Sequence, residues 1–154
     1  MHTDLKLDNV LLVNDSFCTF AHHKTIPSCF KSTKRTVPQT RVLLQSEIRL
    51  IDFGLAMFNY NLRPSTVSTR PYRAPEIIMK LGWSYPCDIW SIGCILVELF
   101  TGDMLFKASN DMEHLAAIQT FTCQRIDPGL ARMAEGRGTE ASRYVFIVLG
   151  GSAI

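Results

Sequence analysis

His2-Thr3-Asp4-Leu5-Lys6-Leu7-Asp8-Asn9, followed at once by Val10-Leu11-Leu12-Val13, is the stretch on which the reading of this chain turns. A carboxylate at Asp4, an ammonium at Lys6 and a carboxamide at Asn9 fall within six positions. A loop of that composition can hold a hydroxyl, a phosphoryl group in transit and a magnesium ion together. Phosphoryl transfer asks for little beyond such positioning and charge neutralisation. The β-branched run after the loop predicts a strand.

Three further constellations follow in order. Asp52-Phe53-Gly54 stands directly after Ile48-Arg49-Leu50-Ile51, a second predicted strand. A carboxylate there can reach the same metal, because magnesium favours one or two carboxylates beside phosphate oxygens and water. Gly54 permits the turn that swings the next segment away. Ser68-Thr69-Arg70-Pro71-Tyr72-Arg73-Ala74-Pro75-Glu76 comes next, then Asp88-Ile89-Trp90-Ser91-Ile92-Gly93. Alone, Asp-Phe-Gly arises by chance. All four in this order, with strands and helices where each needs them, form a specific pattern.

In order and identity these motifs resemble the C-terminal lobe of eukaryotic protein kinases. In detail they resemble the LAMMER-type, CLK-like dual-specificity kinases of the CMGC group. The detail lies in His2-Thr3-Asp4 where His-Arg-Asp is commoner, in Ser68 to Glu76, and in Leu81-Gly82-Trp83-Ser84-Tyr85-Pro86-Cys87-Asp88-Ile89-Trp90. The resemblance runs from Met1 to about Ile118. It implies that Asp4 is the catalytic base for a substrate hydroxyl and that Lys6 neutralises the transferred phosphate of ATP. Asn9 and Asp52 would hold Mg²⁺, and Thr69 would bridge Asp4 and Lys6. Asp88, at the head of a central helix, would bind the backbone of the catalytic loop. Phe53, Gly54, Glu76 and Trp90 would be structural. Protein substrates, among them arginine/serine-rich splicing factors, and a nuclear location are implied as well. Thr3 cannot receive an activation-loop phosphate as an arginine would, so Ser65, Thr66 and Ser68 are not expected to be obligatory switches through that position.

The sequence departs from the family in places. Leu7 stands for the usual proline and Pro71 for the usual histidine, and Ala117-Ile118-Gln119-Thr120 does not reproduce the motif that gives LAMMER kinases their name. Because the match opens at the catalytic loop, the glycine-rich phosphate cover and the ATP-anchoring lysine are expected to be missing. The expectation is a truncated, inactive chain without its N-terminal lobe. The alternative is a non-catalytic kinase-like interaction module.

The rest of the sequence sets bounds. Of 154 residues 47% are hydrophobic, 10% aromatic and 19% charged, a globular composition. A net charge of +2 gives no argument for nucleic acid or membrane partners. The longest apolar runs, within Ile89–Phe100 and Tyr144–Leu149, fall short of the roughly 18 residues a membrane span needs. The N-terminus reads as no signal peptide. Five cysteines, at 18, 29, 87, 94 and 123, form no C-x-x-C pair, as expected of reduced thiols inside a cell. Cys18, His22, His23 and Cys29 fit no zinc spacing.

The expected fold is mainly α with a small β-hairpin, a partial protein-kinase-like fold. Residues 1–121 would form the partial domain and 122–154 a divergent tail. Residues 14–47, with Lys24, Lys31, Lys34, Arg35 and Arg41, read as an irregular basic surface insertion. A short helix is predicted over Pro75–Lys80. A longer one over Cys87–Thr101 stops at Gly102, and its apolar circumference suits the post of a core. Asn110-x-x-Glu113 predicts a capping box opening another helix. Asp127-Pro128-Gly129 reads as a turn, and Tyr144–Leu149 as a run with strand character. Marginal stability with exposed apolar surface is expected.

Overall fold

The computed structural model describes residues 1–21, 39–59 and 61–135. It divides into two compact units: Val10–Ile51, and Met1–Asn9 together with the chain from Asp52 onward.

In the first unit β1 (Val10–Leu12) pairs antiparallel with β4 (Ile48–Leu50), setting Val10 opposite Leu50 and Leu12 opposite Ile48. Both strands fall where the β-branched runs predicted them. The region between them is more regular than the sequence reading allowed. β2 (Phe17–Ala21) and β3 (Gln39–Leu43) form a second antiparallel pair, with Phe17 opposite Leu43 and Ala21 opposite Gln39. Two hairpins therefore stand where one was expected. Arg41 lies over the Phe17 ring, its guanidinium carbon 4.6 Å from the centroid, a cation–π contact that bridges the two strands.

The second unit is helical: α1 (Pro75–Ile78), α2 (Pro86–Thr101), α3 (Asp111–Thr122) and α4 (Pro128–Glu135). Each start has a local cause. Pro75 and Pro86 sit in their helices' first turns, where a missing N–H costs nothing. Asn110 caps α3, its Oδ1 accepting from Glu113 N at 2.8 Å. The Glu113 carboxylate reaches one residue further back than a capping box requires, to Ser109 N and Oγ at 2.8 and 2.6 Å. Gly102 ends α2 in the left-handed region, φ 79°. α4 replaces the turn expected at Asp127-Pro128-Gly129: Asp127 Oδ1 accepts from Gly129 N at 2.7 Å, and the helix proceeds. The apolar run Tyr144–Leu149 and residues His22, His23 and Cys29 lie outside the described residues.

The core gathers where the chain crosses itself. Ala74, Ile77, Trp83 and Cys87 are buried together, with Met1, Met57, Val67 and Trp90 packed on them. Beside them Phe106 is buried, stacked on Trp90 with centroids 5.9 Å apart and meeting His114 at 5.3 Å. Burial of each large side chain here is worth about 1.5–3 kcal/mol. α2 is only partly the buried post expected of it. Cys87, Ser91, Cys94 and Ile95 are buried, while Ile89, Leu96, Leu99 and Phe100 lie on the surface, Phe100 at 92% exposure. A groove of about 760 Å³ beside α2 is lined by Ile89, Trp90, Val97, Phe106 and Phe121, with the carboxylate of Glu76 at its wall. No described helix is long and apolar enough to cross a membrane.

Candidate active site

The loop before Asn9 is held from beneath by one side chain. Asp88, in the first turn of α2, accepts from His2 N at 2.7 Å through Oδ2 and from Thr3 N at 2.9 Å through Oδ1. Two backbone donors that would otherwise be stranded are thereby satisfied. Thr3 is fully buried with φ 68°, and it carries two links to later chain. Its Oγ1 donates to Leu55 O at 2.7 Å, and its carbonyl accepts from Ser68 Oγ at 2.8 Å.

On this support stands Asp4. Its Oδ1 accepts two bonds from Thr69, N–H at 2.9 Å and hydroxyl at 2.7 Å. Its Oδ2 faces Lys6 Nζ at 3.3 Å. Burial alone raises the Asp4 pKa, but the Thr69 bonds and the hydrogen bond and charge of Lys6 outweigh it, leaving the carboxyl below its usual range. Asp4 is therefore an anion at neutral pH with both oxygens oriented. Thr69 meets Asp4 directly, and Lys6 meets the opposite oxygen of the same carboxylate.

Asn9 is buried, and its Nδ2 donates to Asp4 O at 2.9 Å. That bond fixes the amide so that Oδ1 is its remaining acceptor. Asp52 precedes the 3₁₀ turn Phe53–Leu55 in the left-handed conformation, φ 63°, with no capping bond from its side chain. Gly54 makes room for that carboxylate, since a Cβ on it would lie 3.3 Å from Asp52 Oδ1. Phe53 meets the His2 ring at 5.0 Å. The oxygen donors of Asn9 and Asp52 are of the hard type magnesium takes. Among the described residues no cluster of three or more His, Cys, Asp or Glu is arranged for a metal. The amide of Asn9 and the oxygens of phosphate would have to complete the site.

The segment after Gly54 returns to the loop under its own contacts. Arg73 donates from Nε to Val67 O at 3.1 Å and from Nη2 to Ser68 O at 2.8 Å. Tyr72 donates its hydroxyl to Glu98 at 2.6 Å; burial first, then that carboxylate, push its pKa up to about 12. The sequence reading quoted Arg73 and Tyr72 within a motif but gave neither a role. Only the fold brings Glu98 and the carbonyls of residues 67 and 68 to them. Glu76 stands apart from the loop. Burial raises its pKa, and no described cation faces it. Trp90 is partly buried and packs against the core cluster, and its Nε1 is buried without an acceptor among the described residues.

A protein kinase domain family model matches residues 1–135. The dual specificity protein kinase lkh1 of Schizosaccharomyces pombe is 53% identical over 119 residues, covering 77% of this chain and 16% of that protein. Dual specificity protein kinase KNS1 of Saccharomyces cerevisiae is 45% identical over 121 residues, with coverages of 77% and 16%. Dual specificity protein kinase CLK2 of Mus musculus is 40% identical over 146 residues, with coverages of 94% and 26%. A crystal structure of a kinase domain superposes with a TM-score of 0.72 at 32% identity, covering 99% of this chain and 44% of that one. The chain thus spans a minor part of the relatives it matches.

Proposed function

The chain belongs to the protein kinase family, and from that premise we propose that it forms the catalytic and metal-binding loops of a LAMMER-type dual-specificity kinase. The reaction is transfer of the γ-phosphate of ATP to a protein hydroxyl. The observation that carries the reading is Asp4, ionised, held through one oxygen by Thr69 and facing Lys6 through the other.

In this reading Asp4 orients the incoming hydroxyl and takes its proton, while Lys6 neutralises charge on the phosphoryl group. Asn9 and Asp52 would hold magnesium, which would supply charge neutralisation on the phosphates. Asp88 and Thr3 keep the loop in position while this happens.

These residues resemble a C-terminal lobe, and the glycine-rich cover and anchoring lysine of the family are not among their motifs. We therefore assign this stretch weak nucleotide binding by itself, with little transfer. Arginine/serine-rich substrates and a nuclear location belong to the same proposal, on the resemblance of the motifs alone. The second reading, a kinase-like interaction module, is favoured by the apolar surface of α2.

Titration with Mg·ATP separates the two. The kinase reading expects weak, saturable binding that disappears in Asp52→Ala and perturbs the Asn9 side-chain amide by NMR. Binding indifferent to Asp52→Ala, or no binding at millimolar nucleotide, favours the interaction module.

A further inference from the structure

Between Asp52 and Thr69 the chain leaves the site and comes back, and its outer part is fastened at a place no catalytic role explains. Arg63 donates from Nη1 to Trp83 O, and from Nη2 to both Asn59 O, at 2.9 Å, and Asn59 Oδ1. Trp83 answers in the other direction, its indole Nε1 donating to Pro64 O at 2.9 Å. The guanidinium carbon lies 5.6 Å from the centroid of the Trp83 ring. Trp83 is itself 5% exposed, in the cluster with Ala74, Ile77 and Cys87. One end of this clamp is thus anchored in the core, and the other grips Asn59 and Pro64. An arginine is suited to this, since its planar fork of donors can serve several carbonyls while its face lies on an aromatic ring.

We propose that Arg63, with Trp83, is a positioning element that holds the segment between the metal loop and Thr69 in place without a phosphate. The inference rests on the kinase reading for the importance of that segment, and it deepens the reading by naming how the segment is regulated. Thr3 offers no cation to a phosphate. The segment is fastened by bonds to the chain's own groups, among them Arg63 and Trp83 at its outer part, then Ser68 to Thr3, Arg73 to residues 67 and 68, and Thr69 to Asp4. Ser65 and Thr66, which lie between the clamp and these inner ties, are exposed. A phosphate added there is not needed to order the segment.

Hydrogen–deuterium exchange on the full 154-residue chain tests this without nucleotide, so a failure of ATP binding leaves the result readable. Arg63→Ala is expected to speed exchange over residues 59–69 by about tenfold, while α2 exchanges as in the parent. Trp83→Phe keeps an aromatic face under Arg63 while losing the indole donor and some buried volume, and is expected to give a smaller increase in the same peptides. Arg63→Lys, which keeps the charge without the fork, should fall short of restoring protection. Unchanged exchange over 59–69 in Arg63→Ala would overturn the proposal. So would an equal increase in α2, which would make the clamp a contributor to global stability alone. Slower exchange over 59–69 in Ser65→Glu or Thr66→Glu than in the parent would also overturn it, because the segment would then be waiting for a negative charge.

Discussion

At the scale of single residues the account rests on how Asp4 is held. Thr69→Val removes the hydroxyl bond and keeps the shape, so the Asp4 carboxyl is expected to rise toward its ordinary value of 3.8. A carbon NMR titration of that carboxyl checks the shift. An unmoved value would mean that the Thr69 N–H and Lys6 set it without the hydroxyl. His114 gives a second prediction, on stability. It is fully buried and both ring nitrogens lack hydrogen-bond partners among the described residues. Burial first, then the charges of Arg70 and Arg73, push its pKa down from 6.5 to about 4, against a smaller opposing effect of Asp111. A depressed pKa means that the unfolded chain binds the proton more readily. Stability is therefore full above about pH 6.5 and falls as the pH drops toward about 4. The loss is on the order of 3 kcal/mol, and His114→Leu should flatten that part of the denaturation profile. The sequence showed Asp4, Lys6 and Asn9 as a set because their spacing is local. It gave no sign of His114, whose condition depends on Phe106 and the arginines that folding brings near it.

Elements show where local reading suffices and where it fails. Asp88 works from the first turn of α2, and both its oxygens receive backbone donors from residues 2 and 3. Asp88→Asn leaves one acceptor oxygen for two donors, so a loss of about 1.5–3 kcal/mol in urea unfolding is expected. Glu76, in the first turn of α1, is the opposite case. Its carboxylate is desolvated at the groove wall, with its pKa raised by burial and no described cation beside it. Glu76→Gln is expected to raise stability at pH 7 by about 1 kcal/mol, with less gain at pH 4, where the parent is increasingly neutral. A lower melting temperature for Glu76→Gln would reveal a partner for that carboxylate. The end of α2 and the start of α3 were legible because Gly102 acts through its own backbone and Asn110 caps through its own side chain. β2 and β3 were not, since each is short and the pairing joins residues 18 to 26 positions apart. α4 was read as a turn because Asp-Pro-Gly opens turns and helices alike, and only the residues beyond decide.

For the whole molecule the apolar surface of α2 is the feature with consequences. Ile89, Leu96, Leu99 and Phe100 are all more than half exposed, beside the groove at Trp90 and Phe106. Exposed apolar area of this kind drives association. The chain is expected to bind an apolar fluorescent dye and to self-associate at micromolar concentration, and Leu96→Lys with Phe100→Lys should reduce both. A monodisperse monomer that binds no dye would contradict this. The apolar circumference of α2 was legible in its residues, but not which side the other elements cover, because that depends on tertiary contacts.

The central claim is that these residues form a working phosphoryl-transfer site when joined to the rest of a kinase. Residues 1–121 put in place of the matching segment of the Schizosaccharomyces pombe relative test it most directly, with transfer of labelled γ-phosphate from Mg·ATP to a serine peptide as the readout. The account predicts transfer by the chimera and a loss of at least about a hundredfold in Asp4→Asn. A folded chimera that binds ATP but transfers nothing, or that is indifferent to Asp4→Asn, would contradict it.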